Sequence, residues 1–320
     1  MKWKIVQASV IGTSHLTRGT SCQDKCLTKI VHDRQGDEIF VGLVSDGAGS
    51  AIEGGHGAEI ACRTALEEIT SWISKKNNVI QSSSESEIAP NQIKKYALQF
   101  LKVVQREIEK YAPRLPEFIP KWIEKIRKKI EYKAEAKYLS ERDSVYSLSR
   151  ETVEKWIAKI KEEIEHEAQV KGLRSRDYAC TFLGAVIGND FSAYFQIGDG
   201  AMVVYDGEYK IIFFPDTGEY ANTTFLVTDK NVHEHLHTRF DPGRIDEIAL
   251  FSDGLQRLVL HYKSKTAHGP FFEPMFSVLR KESPGYSDIL NKKLEEFLSS
   301  KAVNERTDDD KTLVMATRKM

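Results

Sequence analysis

The 320-residue chain is 41% hydrophobic and 29% charged, with 46 Lys and Arg against 47 Asp and Glu. That much apolar material is enough for a packed core and excludes a disordered chain. The near-zero net charge of −1 excludes the strong basic excess of a nucleic-acid-wrapping surface.

The first 70 residues alternate in the manner of strands, in "KIVQASVIG" from Lys4 and "IFVGLVSDG" from Ile39, and then enter a helix after a glycine-rich turn. The N-terminal segment is too polar for a signal peptide, and no run reaches the roughly 18 apolar residues of a membrane span. From 71 to 175 the pattern is helical. Examples are Trp122, Ile123, Ile126 and Ile130, and then Val153, Trp156, Ile157, Ile160 and Ile164. Loops at 77–91 and 111–120 punctuate this region. Short strand-like runs return from 177: "TFLGAVIG", "FSAYFQIG", "AMVVYDG", "YKIIFFP", "TTFLVT", "IDEIALFSDG" and "TLVMAT", with a helix over 284–300. The order predicts an α+β layered architecture of antiparallel sheets with helices on their outer faces. The helical middle is longer than a crossover needs, so 78–150 is expected to be an insertion in a single domain spanning 1–320. The four cysteines are scattered, which fits reduced thiols in a cytoplasm better than a disulfide frame.

Acids stand repeatedly at strand ends. Asp46 and Asp253 each close an apolar run in Ser-Asp-Gly, Asp199 closes "AYFQIGDG", Asp308, Asp309 and Asp310 precede the last run, and Asp24 precedes "KCLTKIV". One Asp-Gly after a strand is ordinary hairpin chemistry. A set of them can also converge on one sheet edge, where repulsion must be offset by cations. Oxygen-only ligation points to Mg²⁺ or Mn²⁺ rather than zinc, and glycine lets the backbone approach an ion closely. Composition alone stops at an acidic site able to hold two ions.

The motifs "QD" at 23–24, "VSDGAGS" at 44–50, "RDYACTFLGAVI" at 176–187, "IGDGAMVVYDG" at 197–207, "LFSDG" at 250–254 and "DDKTLVM" at 309–315 together resemble the metal-dependent Ser/Thr phosphatases of the protein phosphatase 2C family. "GTSH", "DYACT", "GEYANTTF" and "FFEPMF" look most like its bacterial branch. The resemblance implies a four-layer αββα sandwich and hydrolysis of phosphoserine or phosphothreonine in proteins by a hydroxide bridging two Mn²⁺ or Mg²⁺ ions, in opposition to a Ser/Thr kinase. It implies Asp46 as the bridging ligand, the Gly47 carbonyl as a ligand, and Asp253 and Asp309 as further ligands. It implies Asp24 as an acid orienting metal-bound water, Asp310 and Asp199 as supporting acids, and Asp177 at a third, weaker metal site.

Three positions depart from the family pattern. Ala48 replaces the usual histidine, so another group must protonate the leaving alkoxide; His56 lies nearby in sequence, where a helix begins. Gln23 replaces an acid. The phosphate-binding arginine has no partner in register, leaving Arg18 one place off and His15 as the other polar candidate. All the direct ligands are retained, which favours an active enzyme. The alternatives are a catalytically weak phosphoprotein-binding adaptor using the helical insertion, and a phosphatase of a small phosphate ester. The segment 214–235 corresponds to a mobile flap in the family. Three further features are weaker as sites. His233, His235 and His237 would share one face of an extended segment and could bind zinc, but read better as a polar face. Cys22 and Cys26 lack a second pair, and "GGHGAE" lacks the lysine of a phosphate loop.

Overall fold

The computed structural model describes residues 2–83, 148–215 and 224–319. The chain divides into two compact units, residues 1–73 with 148–320, and residues 74–147. Of the second, only 74–83 are described, so nearly all of the expected insertion lies outside the described residues. Trp122, Ile123, Ile126 and Ile130 lie there too.

In the first unit, two antiparallel sheets carry the core. β1 (Lys4–Val10), β6 (Ala201–Tyr205), β7 (Tyr209–Ile211), β9 (Glu247–Phe251), β12 (Gly285–Tyr286) and β13 (Lys311–Thr317) form a sheet in the order β12-β1-β13-β9-β6-β7. Among the described residues only the edge pair β1–β12 is parallel. β2 (Asp24–His32), β3 (Glu38–Asp46), β4 (Phe182–Ile187), β5 (Phe191–Ile197) and β8 (His237–Pro242) form the second, in that order. β10 (Leu260–His261) and β11 (Thr266–Ala267) make a small ribbon. Among the described residues the α-helices longer than one turn are α1 (Thr13–Arg18), α2 (Gly54–Ser83), α3 (Arg150–Val170), α4 (Gly269–Leu279) and α5 (Asp288–Leu298).

Period-two alternation assigns each strand residue to a layer. On β13, Val314 and Ala316 join Trp3, Phe40, Leu183 and Leu250 between the two sheets. Leu313 and Met315 face the other way, toward Phe272 and Phe276 of α4 and Leu294 and Leu298 of α5. A strand buried on both faces reads as a continuous apolar run, as "TLVMAT" does. On the far side, Val153, Trp156, Ile157, Ile160, Ile164 and Ala168 of α3 form the buried stripe. Trp156 meets Phe195 of β5 edge-on, with ring centroids 5.9 Å apart. Ser149 caps this helix, its hydroxyl accepting the Thr152 N–H, an arrangement whose loss to Ala costs about 1 kcal/mol. The expected α+β sandwich is the fold observed.

Two local readings need correction. "TTFLVT" forms no strand over its described residues, 224–228. Val227 instead donates its N–H to the Cys180 carbonyl, so the apolar run is a packed loop. The three histidines do not share an extended face. His233 lies in a 3-10 turn, His235 caps it and stacks on Phe225, and only His237 is in a strand.

Candidate metal and catalytic site

β2 and β3 pair so that Asp24 faces Asp46 at the end of the ladder. Asp46-Gly47 makes no hairpin; the chain leaves β3 for a loop that leads into α2. Gly47 is required by close packing, because a Cβ there would lie 2.3 Å from the Gly54 carbonyl carbon. Asp253-Gly254 also enters a helical turn, Asp253–Leu255. A Cβ on Gly254 would lie 1.9 Å from the Asp310 carbonyl oxygen, so this glycine lets the turn after β9 rest on the loop before β13. Asp199 lies on the crossing from β5 in one sheet to β6 in the other.

The sheet edges are tied together by short bonds. Ser252 donates its hydroxyl to Asp24 Oδ2 at 2.6 Å and accepts the Thr312 N–H at 3.0 Å. Asp310 is buried and gathers three donors: Gly12 N at 2.6 Å on Oδ1, with Gln23 N at 2.6 Å and His15 Nδ1 at 2.8 Å on Oδ2. Its own N–H donates to Asp309 Oδ1 at 2.9 Å, orienting that carboxylate. Thr224 donates to Asp199 Oδ2 at 2.7 Å, and Gln256 donates to the Asp199 carbonyl.

Asp24, Asp46, Asp199, Asp253 and Asp309 repel one another across this edge. Burial first, then the charges of Asp24 and Asp253, push Asp46 well above the ordinary carboxylate range. Burial, then Asp199 and Asp309, raise Asp253 to about 8. Burial raises Asp24 to about 6 against the pull of its bonds to Ser252 and Asp46. Burial raises Asp199, with Asp309 adding to it. Among the described residues none of the five forms a salt bridge. Lys311, buried close to Asp309 and Asp310, donates to Asn304 Oδ1 at 2.8 Å instead. Among the described residues Asp24 Oδ1 is buried with no hydrogen-bond partner.

Anionic oxygens without a protein cation, one of them orphaned, fit hard divalent ions. Among the described residues no three His, Cys, Asp or Glu side chains close into a ready-made cage. An ion that uses one or two carboxylates and keeps its waters does not need one.

The remaining predicted residues have other partners. Asp177 accepts from Arg174 N at 2.9 Å and from its guanidinium at 3.0 Å, and this pairing holds its carboxyl below the ordinary range. Arg18 is exposed at the end of α1, whose buried residue is His15. His56 packs against Tyr178 and Lys171. Cys22 and Cys26 are free thiols, pushed up to about 12 and about 11, chiefly by burial. Sequence reasoning missed Ser252 as the partner of Asp24. The repeated Ser-Asp-Gly was the available signal, since Ser45 likewise turns inward, donating to the Thr181 carbonyl.

A family model described as protein phosphatase 2C matches residues 11–299. Serine/threonine-protein phosphatase 3 of Escherichia coli (strain K12) is 32% identical over 317 residues, 99% of this chain and 98% of that protein. A bacterial serine phosphatase crystal structure aligns with a TM-score of 0.51 at 14% identity, covering 98% of this chain and 96% of that one. The serine/threonine phosphatase Stp1 from Staphylococcus aureus aligns at 0.50 and 13% identity, covering 100% and 96%. These two structural matches speak to the fold alone.

Proposed function

The chain belongs to the protein phosphatase 2C family and is a protein serine/threonine phosphatase, and we propose that it works at two Mn²⁺ or Mg²⁺ ions on the carboxylate edge. Asp46, the Gly47 carbonyl, Asp253 and Asp309 would hold the ions. Asp24, fixed by Ser252, and Asp310, bonded through its N–H to Asp309, would orient the ligands around them. When bound, such ions neutralise the carboxylates, polarise phosphoryl oxygens and make water a nucleophile near neutral pH. The chain's own contribution is a rigid frame in which every ligand sits beside a strand end. The proposed site does not draw on Arg18, which is exposed, or on Asp177, whose carboxylate Arg174 occupies. A third ion at Asp177 would have to displace that guanidinium.

The observation that carries this reading is the uncompensated charge: Asp24 and Asp46 face each other at the end of the β2–β3 ladder, Asp253 and Asp309 bear on them, and among the described residues no protein cation pairs with any of the four. Its substrates are phosphoproteins, and the enzyme it opposes is a Ser/Thr kinase. A reducing cytoplasm suits four unpaired thiols; among the described residues no helix is long and apolar enough to cross a membrane.

The test is phosphate release from a phosphothreonine peptide with Mn²⁺ or EDTA, for wild type and Asp46→Ala. We expect release to require Mn²⁺. The mutant should lose more than the roughly 10–100-fold typical of residues outside the ligand set. Activity that survives Asp46→Ala would remove Asp46 from the site.

A further inference from the structure

Hydrolysis of a serine or threonine phosphate expels an alkoxide, which must take up a proton. Ala48 has no proton to give. His56 is turned toward Tyr178 and Lys171, and the Lys311 ammonium is taken by Asn304. Among the described residues, His15 is a further protonatable side chain that touches the frame of the carboxylate edge.

His15 is the buried residue of α1, only 7% exposed. Its Nδ1 lies 2.8 Å from Asp310 Oδ2. That same oxygen accepts the Gln23 N–H at 2.6 Å, and Oδ1 accepts the Gly12 N–H at 2.6 Å. A carboxyl group receiving main-chain donors on both oxygens is an acceptor, so Nδ1 carries the proton that joins it to His15. The tautomer is thereby fixed, and Nε2 becomes the nitrogen that gains and loses a proton. Nε2 has no described partner and is not among the sealed polar atoms. The ring stands one hydrogen-bonded carboxylate away from both sides of the site. Asp310 bonds through its N–H to Asp309 Oδ1, and through its side chain to Gln23, the residue before Asp24. Gln23 in turn accepts the Gly47 N–H at 3.2 Å. α1 is itself pinned here, with Ser14 N donating to the Asp308 carbonyl at 2.8 Å. A carboxylate that orients a histidine through Nδ1, leaving Nε2 to exchange a proton with the reacting group, is a recurrent catalytic arrangement.

We propose that His15, oriented by Asp310, is the catalytic residue that protonates the leaving serine or threonine oxygen. This assignment rests on the phosphatase reading above. Water forms the new P–O bond as the P–O bond to the side chain breaks, and that bonding pair leaves on the side-chain oxygen. The oxygen takes the proton from Nε2 of the His15 imidazolium. The proton shed by the attacking water restores the imidazolium, so phosphomonoester and water become alcohol and hydrogen phosphate.

The experiment compares two substrates with Mn²⁺ present: a phosphothreonine peptide, whose alkoxide needs a proton, and p-nitrophenyl phosphate, whose phenolate leaves without one. His15→Asn keeps an N–H donor for Asp310 but cannot supply an acidic proton; His15→Gln is the second variant should the first not fold. We expect kcat on the peptide to fall by about 100-fold, the lower end of general acid contributions, and kcat on p-nitrophenyl phosphate to fall far less. Equal losses on both substrates would mean that the ring only holds α1 in place, and would overturn the assignment. So would unchanged kcat on the peptide. Wild type inert toward both substrates would instead strike the phosphatase reading, and the role of His15 with it.

Discussion

Carboxylates stand at both ends of the β9–β13 ladder, and the two ends handle them in opposite ways. Where β9 begins, Glu247 is fully buried and answered in full. Arg280 donates to its two oxygens at 2.7 and 2.8 Å, Thr317 donates at 2.9 Å, and Lys319 lies at 3.3 Å. Arg280 also binds Glu273, whose carboxyl is held down at about 2, chiefly by Arg280 and Tyr209. Just past the end of β9, which runs about 13 Å, Asp253 joins Asp24, Asp46, Asp199 and Asp309 with no cation paired to them among the described residues. One end is a finished structural network. The other is a frame whose missing positive charge would, on the reading proposed above, come from bound ions. Buried carboxylates are therefore not in themselves a functional signal; their pairing decides.

The largest test removes the compensation where it exists. Arg280→Ala leaves Glu247 buried and short of its main partner, and should cost about 3–5 kcal/mol of stability, read from urea unfolding. Asp253→Asn should do the opposite in EDTA, raising the melting temperature by relieving repulsion. If both variants destabilise the metal-free protein, the contrast between the ends fails.

A second test uses pH. Asp253 has a folded-state pKa of about 8 and an ordinary value of 3.8, and Asp24 is raised to about 6. The folded state therefore binds these protons more tightly than the unfolded chain does. The associated stability is fully present below pH 3.8 and is lost as pH rises through about 8. In EDTA the melting temperature should fall between pH 5.5 and 8.5, and the gain on adding Mn²⁺ should grow over the same interval. Asp253→Asn should flatten the slope. A wild-type profile already flat in EDTA would mean that the carboxylates are compensated after all.

The smallest effect concerns the packing that holds the two loops together. Gly254→Ala places a methyl group against the Asp310 carbonyl and should cost about 1–3 kcal/mol, by thermal unfolding. Weakened Mn²⁺ binding should accompany it, because the same contact sets Asp253 against Asp309. Unchanged Mn²⁺ affinity would separate the packing from the site.

The acids were legible in the sequence because each stands where a strand's alternation stops, and their order along the chain supplied the family. Continuous apolar runs such as "TLVMAT" and "IALF" were readable for the same reason that they are buried: both faces of the strand are covered. β8 was not, because "HTRFDP" is an edge strand on which water replaces half of the apolar signal. α4 carries Pro270 near its start and Pro274 inside it, and proline reads locally as a break. "TTFLVT" has strand composition, yet Val227 N bonds to the Cys180 carbonyl and Leu226 N to the Asp229 side chain in place of a strand ladder. His15 was only one of two polar candidates, since nothing local shows that its partner is Asp310, 295 residues away.

That separation also orders events during synthesis. β1 has its long partner in β13, and pairs Lys4 with Thr317 at one end and Val10 with Lys311 at the other. At ordinary translation rates the first strand waits tens of seconds for its neighbour. The Asp310 carboxylate that gathers Gly12, His15 and Gln23 arrives equally late. Until then the nascent chain has Asp24 and Asp46 but neither Asp309 nor the hub that arranges its N-terminal segment. The carboxylate edge of this phosphatase therefore cannot be completed until β13 and the acids before it have been synthesised.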